Sequence, residues 1–438
     1  MDIVRIEPNM LTGTVKVPPS KSVAHRAILS AALSKGECRI KNVTMSKDIQ
    51  ATLGCVQSLG ATVKVDEEQE EVRISWNQER ELPDEITLDC WESGSTLRFL
   101  MPLALLTGRK VTLTGRGRLM QRPQKPFLDL FSQKGISCIQ QEDSIVLNGE
   151  LKAGIFELPG NVSSQFITGL LFALPLLADE SEIRLTTLLQ SKGYVDLTLS
   201  VLKDFGIEIQ NDNYTRFIIP GGQVYQKRDY IIEGDYSQAA FFLVAGALGC
   251  DIQCTGLSQN SLQGDKQILE LLRNAGAVIE QVDDTTVRAR RTDRMRGMRI
   301  DAREIPDLVP ILAVLCAFCS GESLIYNAGR LRLKESDRLA ATARELRHLG
   351  VEIYEGADYL RIVGCNVLSG TTVSSWNDHR IAMAMAIAAC RAEGEVLITG
   401  AKEAVTKSYP DFFEVYEALS KGPKPTLTYG TIIGEETL

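Results

Sequence analysis

Ser20-Lys21-Ser22, with Arg26 one turn further on, stands where Pro18-Pro19 gives way to the apolar run Ala27-Ile28-Leu29. Polar residues recur in the same setting at Glu92-Ser93-Gly94-Ser95-Thr96 with Arg98, Asn161-Val162-Ser163-Ser164-Gln165, Asp235-Tyr236-Ser237-Gln238, Ile305-Pro306-Asp307 and Asn377-Asp378-His379-Arg380. Each stretch precedes a segment of helical character. Each therefore reads as a helix start, whose first backbone N–H groups lack partners and carry the positive end of the helix dipole. Anions bind at such ends. Ser, Thr, Asn and Asp are ordinary N-caps contributing about 1 kcal/mol each, so capping alone accounts for the hydroxyls. It does not account for Lys21, Arg26, Arg98 and Arg380, because a cation at this end opposes the dipole. Something negative should offset them.

More basic residues stand outside the helix starts, in Gln121-Arg122-Pro123, Lys334-Glu335-Ser336-Asp337-Arg338 and Thr406-Lys407-Ser408-Tyr409-Pro410. Read as one helix, Lys334 and Arg338 share a face with Glu335 beside them; a surface ion-pair ladder is the competing reading. The sequence contains no Gly-Lys dipeptide, no Gly-x-Gly-x-x-Gly after a strand and no Gly-x-Ser-x-Gly elbow, so the common nucleotide and hydrolase motifs are missing. Cations and helix starts without a nucleotide motif point to small phosphorylated and carboxylated metabolites.

The elements that must position these groups show as an internal repeat. A helix-like segment ending in Gly and feeding a strand recurs at Gly60, Gly135, Gly206, Gly276 and Gly350, at spacings of 75, 71, 70 and 74, with a weaker sixth copy at Gly422. A second series, at Gly36, Gly108, Gly249, Gly321 and Gly394, runs between them; its remaining member, around Ala178-Asp179-Glu180, lacks the Gly. Glycine at these places has a mechanical cause, since the residue past a helix end commonly takes a left-handed conformation. Six units of two helices alternating with strands make an α/β protein. Six are too many for one small core, so two domains of three units are expected, with the junction near Tyr230-Ile231-Ile232-Glu233-Gly234.

The 438 residues are 44% hydrophobic and 24% charged, the make-up of a globular protein. A formal charge of −8 argues against a nucleic-acid partner, and the six arginines within residues 288–299 read as a solvated loop or hairpin. The longest apolar runs, residues 166–178 and 308–319, fall short of the roughly 18–20 needed to span a membrane. The first residues look like a strand, with no basic-then-apolar leader, so a cytoplasmic location is expected. Most of the ten cysteines sit in apolar segments, as core thiols do. Cys316-Ala317-Phe318-Cys319 has no second pair and only three histidines to join it, so no metal site is expected.

At these residues the chain closely resembles the 5-enolpyruvylshikimate-3-phosphate (EPSP) synthase family. The resemblance runs from about Val15 to Phe413 and is carried by Ser20-Lys21-Ser22 with Arg26, Gly94-Ser95-Thr96 with Arg98, Arg122-Pro123, Ser163-Ser164-Gln165, Lys334-Glu335-Ser336-Asp337-Arg338, Asp378-His379-Arg380 and Lys407-Ser408-Tyr409-Pro410-Asp411, in that order. It implies a two-domain inside-out α/β barrel of six βαβαββ repeats, three per domain. One domain would be residues 20–231, supplying mainly shikimate 3-phosphate contacts. The other would be residues 1–19 and 232–438, supplying mainly phosphoenolpyruvate and acid–base groups, with the active site in the cleft between them. The implied reaction moves the enolpyruvyl group of phosphoenolpyruvate to the 5-hydroxyl of shikimate 3-phosphate, a step of chorismate and aromatic amino acid biosynthesis, without metal or cofactor and in a monomer.

By the matching motifs, Lys21, Ser22, Arg26, Ser163, Ser164, Gln165, Ser191, Asp307 and Lys334 should hold shikimate 3-phosphate, with Tyr194 near its ring. Lys21, Gly94, Arg122, Gln165, Arg338, Arg380 and Lys407 should hold phosphoenolpyruvate, Gly94 because a side chain there would crowd the ligand. Asp307, Glu335 and Lys21 are the implied acid–base set. A helix cap is the bland alternative for Asp307, and an i, i+3 partner of Arg338 for Glu335. Two positions depart from the family pattern: Glu92 and Arg330 each replace an Asn. Cations on both domains should repel until anions bridge them, so ligand-driven closure is expected.

Two rivals are weaker. Relatives that use UDP-N-acetylglucosamine typically carry a Cys in the loop matching residues 115–123, and this loop has none. A non-catalytic metabolite sensor would tolerate loss of Asp307, Glu335 and Lys21, which are all present.

Overall fold

A computed structural model of the chain describes residues 1–76 and 81–429. It divides into two compact units. The first comprises Pro19–Glu233 with Leu262–Gly264; the second comprises Met1–Pro18, Gly234–Ser261 and Asp265–Leu438.

Each unit contains three four-stranded sheets of one design: a parallel pair, then two antiparallel neighbours. In the first unit, Glu85–Asp89 runs parallel to Lys110–Thr114, which pairs antiparallel with Ser144–Asn148, which pairs antiparallel with Ser137–Gln140. Helix Gly94–Ala104 joins the parallel strands and helix Lys125–Gln133 leads to the last two, giving β-α-β-α-β-β. In the second unit, Arg299–Asp301, Glu322–Tyr326, Leu360–Val363 and Glu352–Glu355 repeat the pattern around helices Val309–Ala317 and Arg338–His348. The first unit completes its opening sheet with Tyr230–Ile231, parallel to Cys38–Lys41. The second unit uses Thr12–Lys16, parallel to Asp251–Thr255.

Helices lie inside and sheets outside because of their apolar patterns. Helices Tyr236–Ala247, Val309–Ala317 and His379–Ala389 are buried at every position, and Gly94–Ala104 at all but Ser95. A helix apolar all round has to be enclosed. The strands alternate instead, Cys38 and Ile40 inward against Arg39 and Lys41 outward, so each sheet covers the helices with one face and meets water with the other. The α/β character with six βαβαββ repeats is as expected.

The glycines of both series lie in the left-handed region, as at Gly60 (φ +109°) and Gly249 (φ +115°) just past helix ends, although Gly394 follows strand Ala392–Glu393 instead of a helix. Gly422 does not, which fits its weaker signal. Two local expectations fail. Residues 207–209 do not form the strand read after Gly206; it begins at Gln210–Asp212, because the Glu208 N–H is taken by the Gln223 side chain at 2.7 Å. Lys334 and Arg338 do not share a helix. Asp337 caps the helix by accepting from the Ala340 N–H at 3.0 Å, so Arg338 opens it and Lys334 closes the preceding 3-10 turn, Gly329–Leu333.

Candidate active site

In the first unit, helix Lys21–Leu33 starts at Ser20, whose side chain makes no cap, and has no acidic residue in its first turn. The charge is met from the next helix: Lys21 Nζ lies 2.7 Å from Asp48 Oδ2. Arg26 differs. Its buried guanidinium donates to Thr198 Oγ1 (2.8 Å), Ser22 O (2.6 Å) and Tyr194 O (2.9 Å), all neutral, and stacks 5.2 Å from the Phe99 ring. Burial without a carboxylate pulls its pKa down to about 10. A buried guanidinium with only neutral acceptors is a place prepared for an anion.

The neighbouring helix starts are tied into the same framework. His25 Nδ1 meets Thr52 Oγ1 at 2.8 Å, Thr52 meets Thr96 at 2.7 Å, and Thr96 Oγ1 donates to Ser93 Oγ at 2.7 Å. Burial, then Lys21 and Arg26, hold the His25 imidazole well below its usual pKa, so it serves this chain as a neutral group. Arg98 Nη1 donates to Gln165 Oε1 at 2.8 Å while Gln165 Nε2 donates to Ser95 Oγ at 2.9 Å, which fixes the Gln165 amide. Ser163 caps helix Ser164–Ala173 by accepting from the Gln165 N–H at 3.3 Å; Ser164 is buried just inside. Ser191, also buried, starts helix Lys192–Asp204 at φ +59°. Arg122 lies directly over Gly94: a Cβ added there would meet its guanidinium at 2.7–2.9 Å. The crowding inferred for Gly94 thus falls on Arg122.

In the second unit the centre is Asp307, in the 3-10 turn Pro306–Leu308 that leads into helix Val309–Ala317. Its Oδ1 accepts from Lys334 Nζ (3.0 Å) and Arg338 Nη1 (2.9 Å), and its Oδ2 lies 3.1 Å from Arg380 Nη2. Burial works to raise the Asp307 pKa, but Arg380, Lys334 and Arg338 together hold it well below the usual carboxylate range. Lys334 is pulled down by burial against the opposing pull of Asp307. Arg338, 1% exposed, reaches Glu335 Oε2 at 2.7 Å and Asp378 Oδ2 at 2.8 Å; burial opposes its charge, and Asp378, Glu335 and Asp307 more than restore it. Arg380 also donates to Ser237 Oγ at 3.0 Å, and Lys407 Nζ to the Asn377 carbonyl at 2.7 Å.

The structure therefore gathers Lys21, Ser22 and Arg26 on one helix, with Gly94, Arg122 and Gln165 linked through Arg98 and Ser95 in the same unit. It gathers Asp307, Lys334, Glu335, Arg338 and Arg380 in the other. Asp307 is not a helix cap, whereas Glu335 does pair with Arg338. The cations expected to need external anions are partly answered from within, by Asp48, Asp307, Glu335 and Asp378. Arg330 donates to the Arg303 carbonyl at 2.8 Å. Sequence reasoning assigned nothing to Asp48, Asp378 or Thr198, and read Arg98 only as a cation awaiting an anion, whereas it donates to Gln124, Gln165 and the Pro123 carbonyl. Asp378 and Arg98 stood inside quoted motifs, but Asp48 and Thr198 carry no pattern that separates them from caps and core hydroxyls. Among the described residues no His, Cys, Asp and Glu cluster suits a metal, and no helix is long and apolar enough to cross a membrane.

The fold is shared with a solved EPSP synthase from Acinetobacter baumannii, with a TM-score of 0.81 at 23% identity over 98% of this chain and 100% of that one. It is shared also with the enolpyruvyl transferase NikO from Streptomyces tendae, with a TM-score of 0.78 at 19% identity over 98% and 99%. Two units of three repeats that present cations at buried helix starts thus define a protein of enolpyruvyl transferase fold. The sequence pattern of EPSP synthase (3-phosphoshikimate 1-carboxyvinyltransferase) matches residues 6–416. Curated 3-phosphoshikimate 1-carboxyvinyltransferases are similar along their whole length: one from Clostridium perfringens strain SM101 is 47% identical over 96% of this chain and 99% of its own, and one from Clostridioides difficile strain 630 is 45% identical over 96% and 98%. The chain belongs to the EPSP synthase family.

Proposed function

We propose that the chain transfers the enolpyruvyl group of phosphoenolpyruvate to the 5-hydroxyl of shikimate 3-phosphate, releasing phosphate, and that its two clusters act on one pair of ligands. The observation that carries this reading is the meeting of Lys334, Arg338 and Arg380 on the single carboxylate of Asp307. Three cations around one acid–base group fit a reaction in which anionic substrates must be held while a proton is moved.

The chemistry is an addition followed by an elimination. The methylene carbon of phosphoenolpyruvate gains a proton while the 5-hydroxyl, losing its own, attacks the adjacent carbon. The tetrahedral intermediate then sheds phosphate and returns a proton from the methyl group. Asp307 is the base for the hydroxyl. In the free protein its pKa is too depressed for that task, because three cations face it. Substrate phosphate and carboxylate groups draw on those same cations, weaken their hold on Asp307 and raise its pKa toward a useful range. Glu335, 2.7 Å from Arg338, and Lys21, 2.7 Å from Asp48, handle the carbon-bound proton.

Shikimate 3-phosphate binding falls to Lys21, Ser22, Arg26, Ser163, Ser164, Gln165, Ser191, Asp307 and Lys334. Arg26 supports this most directly, since it lacks an internal anion. Phosphoenolpyruvate binding falls to Lys21, Gly94, Arg122, Gln165, Arg338, Arg380 and Lys407. One chain supplies both clusters, so the active form is taken to be a monomer, working in the cytoplasm. The deciding experiment measures phosphate release from phosphoenolpyruvate in parallel with shikimate 3-phosphate and with UDP-N-acetylglucosamine. Release with the first alone supports the assignment; release with the second alone, or with neither, ends it.

A further inference from the structure

Trp91 is a bulky residue held at φ +52°, in the left-handed region that favours glycine. Its indole Nε1 is buried with no hydrogen-bond partner. Both features oppose folding, so the ring should have a task elsewhere. The second unit holds an internal comparison. Trp376 stands at the matching place, two residues before a helix cap, at φ +55°; its backbone N–H donates to Ser374 Oγ as that of Trp91 donates to Asp89 Oδ1. Trp376 Nε1, however, donates to the Glu345 carboxylate at 2.7 Å. That indole is fastened by its N–H. Trp91 is fastened by its face: the Arg116 guanidinium lies 4.0 Å from its ring centroid and Lys47 Nζ 5.1 Å.

Arg116 begins the segment that delivers Arg122. Its backbone N–H donates to Trp91 O at 2.8 Å, and its Nη2 to Asp89 Oδ2 at 2.8 Å. One residue on, Gly117 packs so close to the Glu92 carboxylate that a Cβ would lie 2.7 Å from Oε2. Residues 116–118 are otherwise exposed. From there the chain is stiff: Leu119 N bonds Arg116 O, and Arg122 N bonds Arg118 O at 3.1 Å, around the 3-10 turn Leu119–Gln121. A displacement at Arg116 is therefore carried to Arg122, which sits on Gly94.

We propose that Trp91 is a positioning residue for Arg122: its ring, stacked on Arg116, sets the register of residues 115–122 against the start of helix Gly94–Ala104. This rests on the reading of Arg122 as a phosphoenolpyruvate contact. The test is steady-state kinetics and thermal unfolding of Trp91→Gly, Trp91→Phe, Arg116→Met, the Trp91→Gly/Arg116→Met double variant and Arg122→Gln. Trp91→Gly should raise KM for phosphoenolpyruvate roughly three- to fivefold, the range of an exposed cation–ring contact, and leave KM for shikimate 3-phosphate unchanged. Its melting point should hold or rise, because glycine adopts this backbone without strain. Trp91→Phe should stay near the parent, and the double variant should be no worse than Trp91→Gly alone. An unchanged KM for phosphoenolpyruvate in Trp91→Gly, or a rise in both KM values with a lowered melting point, overturns the proposal. If Arg122→Gln raises that KM and Trp91→Gly does not, positioning alone is refuted. If Arg122→Gln leaves it unchanged, the reading beneath it falls as well.

Discussion

Arg338 and Asp378 meet at two points, Nε to Oδ2 at 2.8 Å and Nη2 to Oδ1 at 3.2 Å, with side chains 1% and 0% exposed. Asp378 also accepts from Ser336 Oγ and from the Arg380 N–H, so one buried carboxylate orients two of the cations assigned to phosphoenolpyruvate. Removing the Asp378 charge leaves Arg338 with Glu335 and Asp307, so the loss stays below the about 3–5 kcal/mol of a fully stranded charge. Asp378→Asn should therefore lower the urea midpoint and raise KM for phosphoenolpyruvate; an unchanged midpoint would show the pair to be dispensable.

Gly94→Ala tests the contact with Arg122. The new Cβ would stand 2.7 Å from a guanidinium nitrogen, the end of a flexible side chain, so Arg122 yields and the fold does not. The expected result is a rise in KM for phosphoenolpyruvate of roughly tenfold, or ~1.4 kcal/mol, with KM for shikimate 3-phosphate and the melting point near the parent values. Equal changes in both KM values would place Gly94 elsewhere.

Arg26 offers a test in the opposite direction. Its guanidinium is buried among neutral acceptors, so Arg26→Met should leave the ligand-free protein as stable as the parent or more so. Shikimate 3-phosphate should raise the melting point of the parent and fail to raise that of the variant. Arg26→Lys should not restore binding, since a point charge cannot satisfy three acceptors set for a planar fork.

Asp307 links pH to stability with a definite sign. Its folded pKa lies below the unfolded value of about 3.9, so its ionised form stabilises the protein fully above that pH and loses the contribution as pH falls through the folded value. The urea midpoints of the parent and Asp307→Asn should differ by a constant amount from about pH 6 to about pH 8 and converge below about pH 4. At neutral pH the variant should lose roughly 10²–10⁴-fold in kcat, the usual contribution of a general base. A difference that grows on acidification would reverse the assignment.

Much of this was legible in the sequence, for a definite reason. A helix end that needs a left-handed residue exposes itself as Gly, so the spacing of Gly60, Gly135, Gly206, Gly276 and Gly350 displayed the repeat. Helix starts displayed themselves through unpaired N–H groups and the hydroxyls that cap them. What stayed hidden were contacts made between elements. Nothing in the spacing of Lys334 and Arg338 reveals that they meet Asp307 from two different elements, because the stop is set by Asp337 capping Ala340. Nothing in the sequence ties Asp48, in the first turn of helix Lys47–Ser58, to Lys21; only the packing of its helix brings them together. Nothing in the sequence sets Trp91 apart; its left-handed backbone does.

The strand pairing also carries a consequence for biosynthesis. Asp2–Ile6 lies between Val396–Thr399 and Thr426–Tyr429 in one sheet, so this strand must await partners synthesised long after it. At about 5–20 residues per second that delay is on the order of 20–80 s. Nearly all of the first unit, Pro19–Glu233, emerges within that interval and can condense ahead of it. Strand Asp2–Ile6 therefore stays unpaired until Val396–Thr399 is made, and that open edge is the one a holding chaperone would cover.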